Sequence, residues 1–252
     1  MNQQDKADEF FKAKIKNMVS IAENQNYAKF SNFLDARQQH MALQVLQSCG
    51  CRRYSFFGGY EDAERKMLCV YPDYQQEEDL TFPCDILAFR FPKMYELTHR
   101  DFLGAIMATQ IKRETIGDIL VGEGQAVLFV QQDLTEYIQN NLCKIGNVGV
   151  QIEKVEHSPL QRQQKYELLT GTVASLRIDS VLHLITKLSR SKAGELIAAG
   201  RVQINYEEVS SLSTGVKPQD IISVRGYGKY MLTDEIHLTK KERYHIAIQK
   251  FI

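Results

Sequence analysis

Leu188-Ser189-Arg190-Ser191-Lys192-Ala193, followed by Leu196-Ile197-Ala198-Ala199-Gly200-Arg201-Val202, decides how the C-terminal part of this chain reads. Ser189 stands just before an apolar stripe at Ala193, Leu196 and Ile197, the place of a helix N-cap, and Gly200 stands where such a helix stops. The first helical turn therefore carries Arg190 and Lys192. Acids are favoured there, because unpaired backbone N–H groups and the macrodipole already leave partial positive charge. Cations worsen that local balance, and an anion from outside repairs it. A phosphate is the usual guest of such an end, met by N–H donors and side-chain charges together. The competing reading is a solvated charged face.

The flanks extend the pattern. Upstream, Ile178, Leu182, Ile185 and Leu188 recur at helical spacing, with Arg177 at the entrance and Lys187 near the exit. Downstream, Val202 and Ile204 alternate with Arg201 and Gln203 and lead to Asn205, while Ile221, Ile222 and Val224 follow Pro218 and Asp220. These are two strands around a polar loop. The second runs into Arg225-Gly226-Tyr227-Gly228-Lys229-Tyr230, a glycine-punctuated turn able to approach a backbone closely and to offer tyrosines for stacking; Tyr230 is expected to pack on its own sheet. Between Leu176 and Tyr230 eight basic residues face five acidic ones, a net +3. The whole chain balances 31 against 31, so the neutral total hides a segregated distribution. Attraction to phosphate should be local and salt-sensitive.

Leu-Arg-Ile-Asp at 176–179, Leu-Ser-Arg-Ser-Lys-Ala at 188–193, Leu-Ile-Ala-Ala-Gly-Arg-Val at 196–202 and Asp-Ile-Ile-Ser-Val-Arg-Gly at 220–226 together resemble the S4 RNA-binding domain. The resemblance covers the segment end to end. In such domains the cationic helix start and the adjoining strand line an RNA groove, which implies RNA contact for Arg177, Ser189, Arg190, Ser191, Lys192, Arg201 and Asn205. Lys187, Arg225 and Lys229, three further cations of the segment, join them. Two positions depart from the common form: Tyr206 follows Asn205, and Gln219 precedes Asp220, where glycine is usual. Both fall in turns, so they bear on local geometry more than on RNA.

Working back, Ile86 to Phe91 reads as a strand and Thr98-His99-Arg100-Asp101 opens a helix through Phe102, Leu103, Ile106 and Met107, with Thr98 and Asp101 as a capping pair. Ile119 to Val121 and Ala126 to Val130 flank Gly122-Glu123-Gly124 as a hairpin. A helix through Leu134, Tyr137, Ile138 and Leu142 and a strand through Val148, Val150, Ile152 and Val155 complete the series. Strand, helix, strand, strand, helix, strand is the split βαβ plait of ferredoxin-like and RRM-like domains. RRMs stack bases on aromatics of their central strands. Phe129 sits at such a position, although an aromatic within an apolar run is more often core. Lys112 and Arg113, after the first plait helix, are candidates for phosphate contact, with a solvated loop pair as the alternative.

The stretches 100–104 and 111–120, taken with the S4 pattern, resemble YlmH-type S4 proteins over nearly the whole chain. That resemblance implies a non-enzymatic, cofactor-free RNA binder that recognises rRNA or tRNA on the large ribosomal subunit in rescue of stalled translation. It also carries an association with bacterial cell-division genes. No preference for DNA is expected.

The expected class is α+β, with an N-terminal α+β region over 1–78, the plait over 79–165, the S4 domain over 173–235 and an extension over 236–252. In the first, Phe10, Phe11, Ile15 and Met18 suggest one amphipathic helix and Met41, Leu43, Val45 and Leu46 another; Ser55-Phe56-Phe57 and Met67 to Tyr71 suggest strands, and Glu77-Glu78-Asp79 an acidic linker. No run approaches the roughly 18 apolar residues of a membrane span, and Met-Asn-Gln-Gln-Asp-Lys is no signal peptide, so a cytoplasmic protein without membrane partners is expected. Five cysteines, among them Cys49 and Cys51, show neither disulfide density nor zinc-site spacing, and no metal site is expected. His99-Arg100-Asp101 lacks the phosphate loop and paired lysine of a kinase, and Gly122-Glu123-Gly124 is too short for a cofactor loop. The alternatives in other classes are an RNA-modifying enzyme with an unrecognised N-terminal site and a protein-interaction module for the division machinery.

Overall fold

The computed structural model describes residues 3–162 and 166–252, so residue 165, where the plait was expected to end, and the first two residues of the chain lie outside the described part. The chain divides into two compact units, residues 1–162 and 163–252.

The first unit begins with α1 (Gln3–Gln25), β1 (Lys29–Leu34), α2 (Ala36–Ser48), β2 (Tyr54–Phe57) and β3 (Lys66–Val70), its strands ordered β1-β3-β2 in an antiparallel sheet. Ile15, Met18 and Val19 of α1 and Ala42, Val45 and Leu46 of α2 close on Leu34, Leu68 and Val70 of that sheet. Phe10, expected on the buried stripe of α1, instead points outward and is 76% exposed, so the core-facing stripe starts a turn later. Asp35 caps α2, accepting from the Gln38 amide at 2.8 Å, while Gln38 Oε1 accepts from the Asp35 amide at 3.0 Å.

The plait follows: β4 (Cys84–Arg90), α3 (His99–Ala108), β5 (Ile116–Gly122), β6 (Gln125–Gln131), α4 (Thr135–Asn141), the short ribbon β7 (Lys144–Ile145) and β8 (Val148–Gly149), and β9 (Gln151–Val155). Its sheet runs β5-β6-β4-β9, all antiparallel, the order of a split βαβ plait. The period-2 alternation of β4 and β6 gives two apolar faces. Leu87, Phe89, Leu128 and Val130 pack with Phe102 and Ile106 of α3 and Ile138 of α4, whereas Ile86, Val127 and Phe129 pack with Phe33 of β1 and Met67 of β3. The N-terminal elements and the plait thus share a core, and the central strands β4 and β6 are buried on both sides.

In the second unit, β10 (Tyr166–Val173) precedes α5 (Ile178–Thr186) and α6 (Arg190–Ala198). Then come β11 (Val202–Ile204), β12 (Glu207–Glu208), β13 (Ile221–Val224), β14 (Gly228–Leu238) and β15 (Tyr244–Phe251). One six-stranded sheet collects them in the order β10-β15-β14-β13-β11-β12. Residues 236–238 and 244–251 are therefore strands of that sheet, and β10 is held in it by β15, paired from Tyr166 opposite Phe251 to Val173 opposite Tyr244. Val181, Leu182 and Ile185 of α5 and Ala193, Leu196 and Ile197 of α6 cover Val202, Ile222, Val224, Leu232 and Ile248. The class is α+β throughout, and among the described residues no helix is long and apolar enough to cross a membrane.

Candidate nucleic-acid interface

The direction of the cationic turn is set by its helix. Ser189 is extended (φ −64°, ψ 157°) and its Oγ accepts from the Lys192 amide at 3.4 Å, the N-cap role read from the sequence. Ala193, Leu196 and Ile197 are buried against the sheet, which turns the opposite side of the first turn to solvent. Ser189, Arg190, Ser191 and Lys192 are all exposed. Among the described residues no carboxylate lies within ion-pair distance of Arg190 or Lys192. The helix end thus carries uncompensated positive charge added to that of its own free N–H groups.

Lys187 ends α5 in the left-handed conformation (φ 60°), its amide donating to the His183 carbonyl at 3.0 Å and its side chain exposed. It lines one cleft with Arg190. Arg177 opens α5 and is exposed, but its Nε lies 3.3 Å from Oδ1 of the buried Asp179, so part of its charge is met internally. Arg201 and Arg225 are exposed and adjoin: Arg201 Nη2 donates to the Arg225 carbonyl at 3.2 Å, and the Arg225 amide to the Arg201 carbonyl at 2.9 Å. This bracing shapes the turn through Gly226 (φ 91°) and leaves the Arg225 guanidinium outward. Tyr230 is buried and donates its hydroxyl to the Tyr227 carbonyl at 2.9 Å, packing on its own sheet as expected.

Two expected contacts are instead committed inside the unit. Asn205 donates from Nδ2 to Asp220 Oδ1 at 2.7 Å and accepts at Oδ1 from the Ile221 amide at 2.9 Å, so its amide clasps the β11–β13 turns rather than facing outward. Lys229 is half-buried, its ammonium 3.1 Å from the Tyr206 hydroxyl and over the rings of Tyr206 (5.2 Å) and Phe251 (5.3 Å). That cation–π cradle withdraws it from the outward set. Tyr206 and Gln219 do take the conformation that glycine favours, with φ of 69° and 68°.

In the first unit the plait's candidates divide. Lys112 is exposed, but Arg113 is turned in: its Nη1 donates to the carbonyls of Ile116 at 2.7 Å and Gly117 at 3.3 Å, and burial lowers its pKa. It ties down the irregular start of β5 and is no free loop cation. Phe129 is fully buried and stacks on Tyr60, ring centroids 4.8 Å apart at 27°. The sheet face on which RRMs stack bases is therefore filled by the protein's own N-terminal elements.

A buried polar centre that the sequence did not signal fixes this cover. Asp118 accepts from the Tyr60 hydroxyl at 2.8 Å, the Glu64 amide at 2.7 Å and the Arg65 amide at 3.1 Å. Arg65, its pKa lowered by burial, donates to the carbonyls of Ile116 and Phe33, each at 3.0 Å. An aspartate inside an apolar strand of sequence Ile-Gly-Asp-Ile-Leu was the available sign of it.

Comparison with known proteins agrees with this geometry. A family model described as a putative RNA-binding domain in YlmH matches residues 76–159, and the S4 domain model matches residues 176–222. The ribosome-associated protein quality control protein P2 of Bacillus subtilis is 32% identical over 232 residues, 91% of this chain and 90% of that protein. Among solved structures, cell division protein ylmH from Streptococcus pneumoniae superimposes with a TM-score of 0.51 at 25% identity, over 62% of this chain and 93% of that one.

Proposed function

The chain belongs to the YlmH family of RNA-binding, S4-domain proteins, and from that premise we propose that it is a non-enzymatic factor that binds structured rRNA or tRNA on the large ribosomal subunit during rescue of stalled translation. Its place of work is then the cytoplasm. The ribosome-associated quality-control name of the Bacillus subtilis relative supports the setting. The observation that carries the reading is the exposed turn at Ser189–Lys192, whose two cations have no carboxylate partner among the described residues.

Arg190 and Lys192 contact backbone phosphates, Ser189 and Ser191 supply hydroxyl or N–H donors, and Arg177, Lys187, Arg201 and Arg225 extend the contact. A helix end flanked by flexible cations fits the path of a folded backbone and offers little to distinguish base edges, so recognition is by RNA shape. The plait's buried central face leaves base stacking out of the mechanism. Crosslinking the protein to RNA in cells and mapping the contacted nucleotides tests this: contacts concentrated in large-subunit rRNA and tRNA are expected. A map without them, or a modified nucleotide missing from cells that lack the protein, overturns it.

A further inference from the structure

The second unit carries a cleft of about 170 Å³ where three separate segments deliver basic side chains to one place. His183 comes from α5, Lys187 and Arg190 from the α5–α6 junction, and Arg243 from the turn before β15, with Ser180 and Thr172 also lining the walls. No carboxylate is among the described residues that line it. The three cations Lys187, Arg190 and Arg243 around so small a volume repel one another unless an anion sits between them.

Local geometry positions Lys187, His183 and Arg243. The left-handed Lys187 projects its side chain from the end of α5. His183 Nδ1 donates to the Leu188 carbonyl at 2.5 Å, which sets the ring and places its proton on that nitrogen. Arg243 is attached through one hydrogen bond, Nη2 to the Thr172 carbonyl at 3.3 Å, and its remaining N–H groups have no other side-chain bond among the described residues. A planar guanidinium with spare donors beside two further cations is suited to a tetrahedral dianion or a phosphodiester.

We infer that this cleft holds a backbone phosphate of the bound RNA, so that Arg243 carries the interface beyond the S4 pattern onto the β14–β15 hairpin. The inference rests on the RNA-binding reading above and adds a site to it. The cleft takes one phosphate, and its effect is one more counterion released on binding.

Binding of the full chain to purified large ribosomal subunits, measured across a salt series, tests it. Lys187→Gly removes a cation where the backbone already favours glycine, so the fold is retained, and Arg243→Gln removes a second. Each is expected to weaken binding roughly five- to tenfold and to lower the salt slope by about one unit, the value of one lost phosphate contact. Arg243→Lys, keeping the charge, should recover most of the slope even if the Thr172 bond is lost. Wild-type affinity and slope in both Lys187→Gly and Arg243→Gln, with binding weakened in an Arg190→Ala/Lys192→Ala double variant, would remove the cleft from the interface and leave the RNA-binding reading standing. Unchanged binding in the double variant as well would remove both.

Discussion

Single residues here carry either the fold or the interface, and the distinction lies in whether their polar groups are already occupied. Asp118 illustrates the first kind, with three hydrogen bonds gathered from Tyr60, Glu64 and Arg65 in a buried setting. Replacing it by Ala leaves a hydroxyl and two amides without partners, a loss of about 3 kcal/mol. Urea unfolding of Asp118→Ala should show a midpoint well below that of the parent, and an equal midpoint would contradict the assignment. Gln219 illustrates a residue at odds with its backbone: a left-handed φ of 68° strains a side chain that glycine would not carry. Its Nε2 bond to Asp234 is exposed and returns little. Gln219→Gly should therefore raise stability by about 0.5 kcal/mol after glycine's own entropic cost, read as a higher melting temperature; a clear fall would show that the Asp234 bond outweighs the strain. Arg190 and Lys192 are the other kind, exposed and without a carboxylate partner among the described residues, so their removal should cost binding and leave melting unchanged.

At the level of elements, what the sequence disclosed followed how cleanly each segment's burial repeats. The helices α5 and α6 were legible because their apolar stripes at 178, 182 and 185 and at 193, 196 and 197 have helical spacing and Ser189 marks a start. β1 was missed because Ser31, buried and accepting from the Leu68 amide at 2.8 Å, interrupts its apolar pattern. β10 was missed because it is largely exposed along its length and gains its structure from β15, a partner more than seventy residues away. Asn205 and Lys229 look like exposed polar residues in sequence, and only their tertiary neighbours show that they are engaged, while Arg113 is held by the carbonyls three and four residues on. The pairing of β10 yields a prediction at this scale. Deleting residues from 240 onward should free β10 and raise amide exchange at 166–173 to near unprotected rates. Protection persisting there would contradict the sheet order. The covered face of the plait gives another: at Gly59 (φ 96°) a Cβ would stand 2.2 Å from Phe129 Cδ1. Gly59→Ala should destabilise the first unit by about 2 kcal/mol or more, measured by denaturant unfolding, whereas a neutral result would mean that the Tyr60–Phe129 contact is loose.

For the molecule as a whole, net charge is zero while the S4 segment carries +3, so attraction to RNA is local and should decay steeply with salt. One unit presents the cationic turn at Ser189–Lys192; in the other, the plait face that could have stacked bases is closed by the protein's own N-terminal elements. The division of labour rests on the exterior turn that begins at Ser189 meeting an RNA backbone. The most direct measurement is the affinity of the Arg190→Ala/Lys192→Ala variant for purified large ribosomal subunits at about 0.1 M salt, with its melting temperature recorded alongside. Loss of two charge-assisted phosphate contacts predicts affinity lower by about ten- to hundredfold with melting unchanged; binding equal to that of the parent protein would contradict the account.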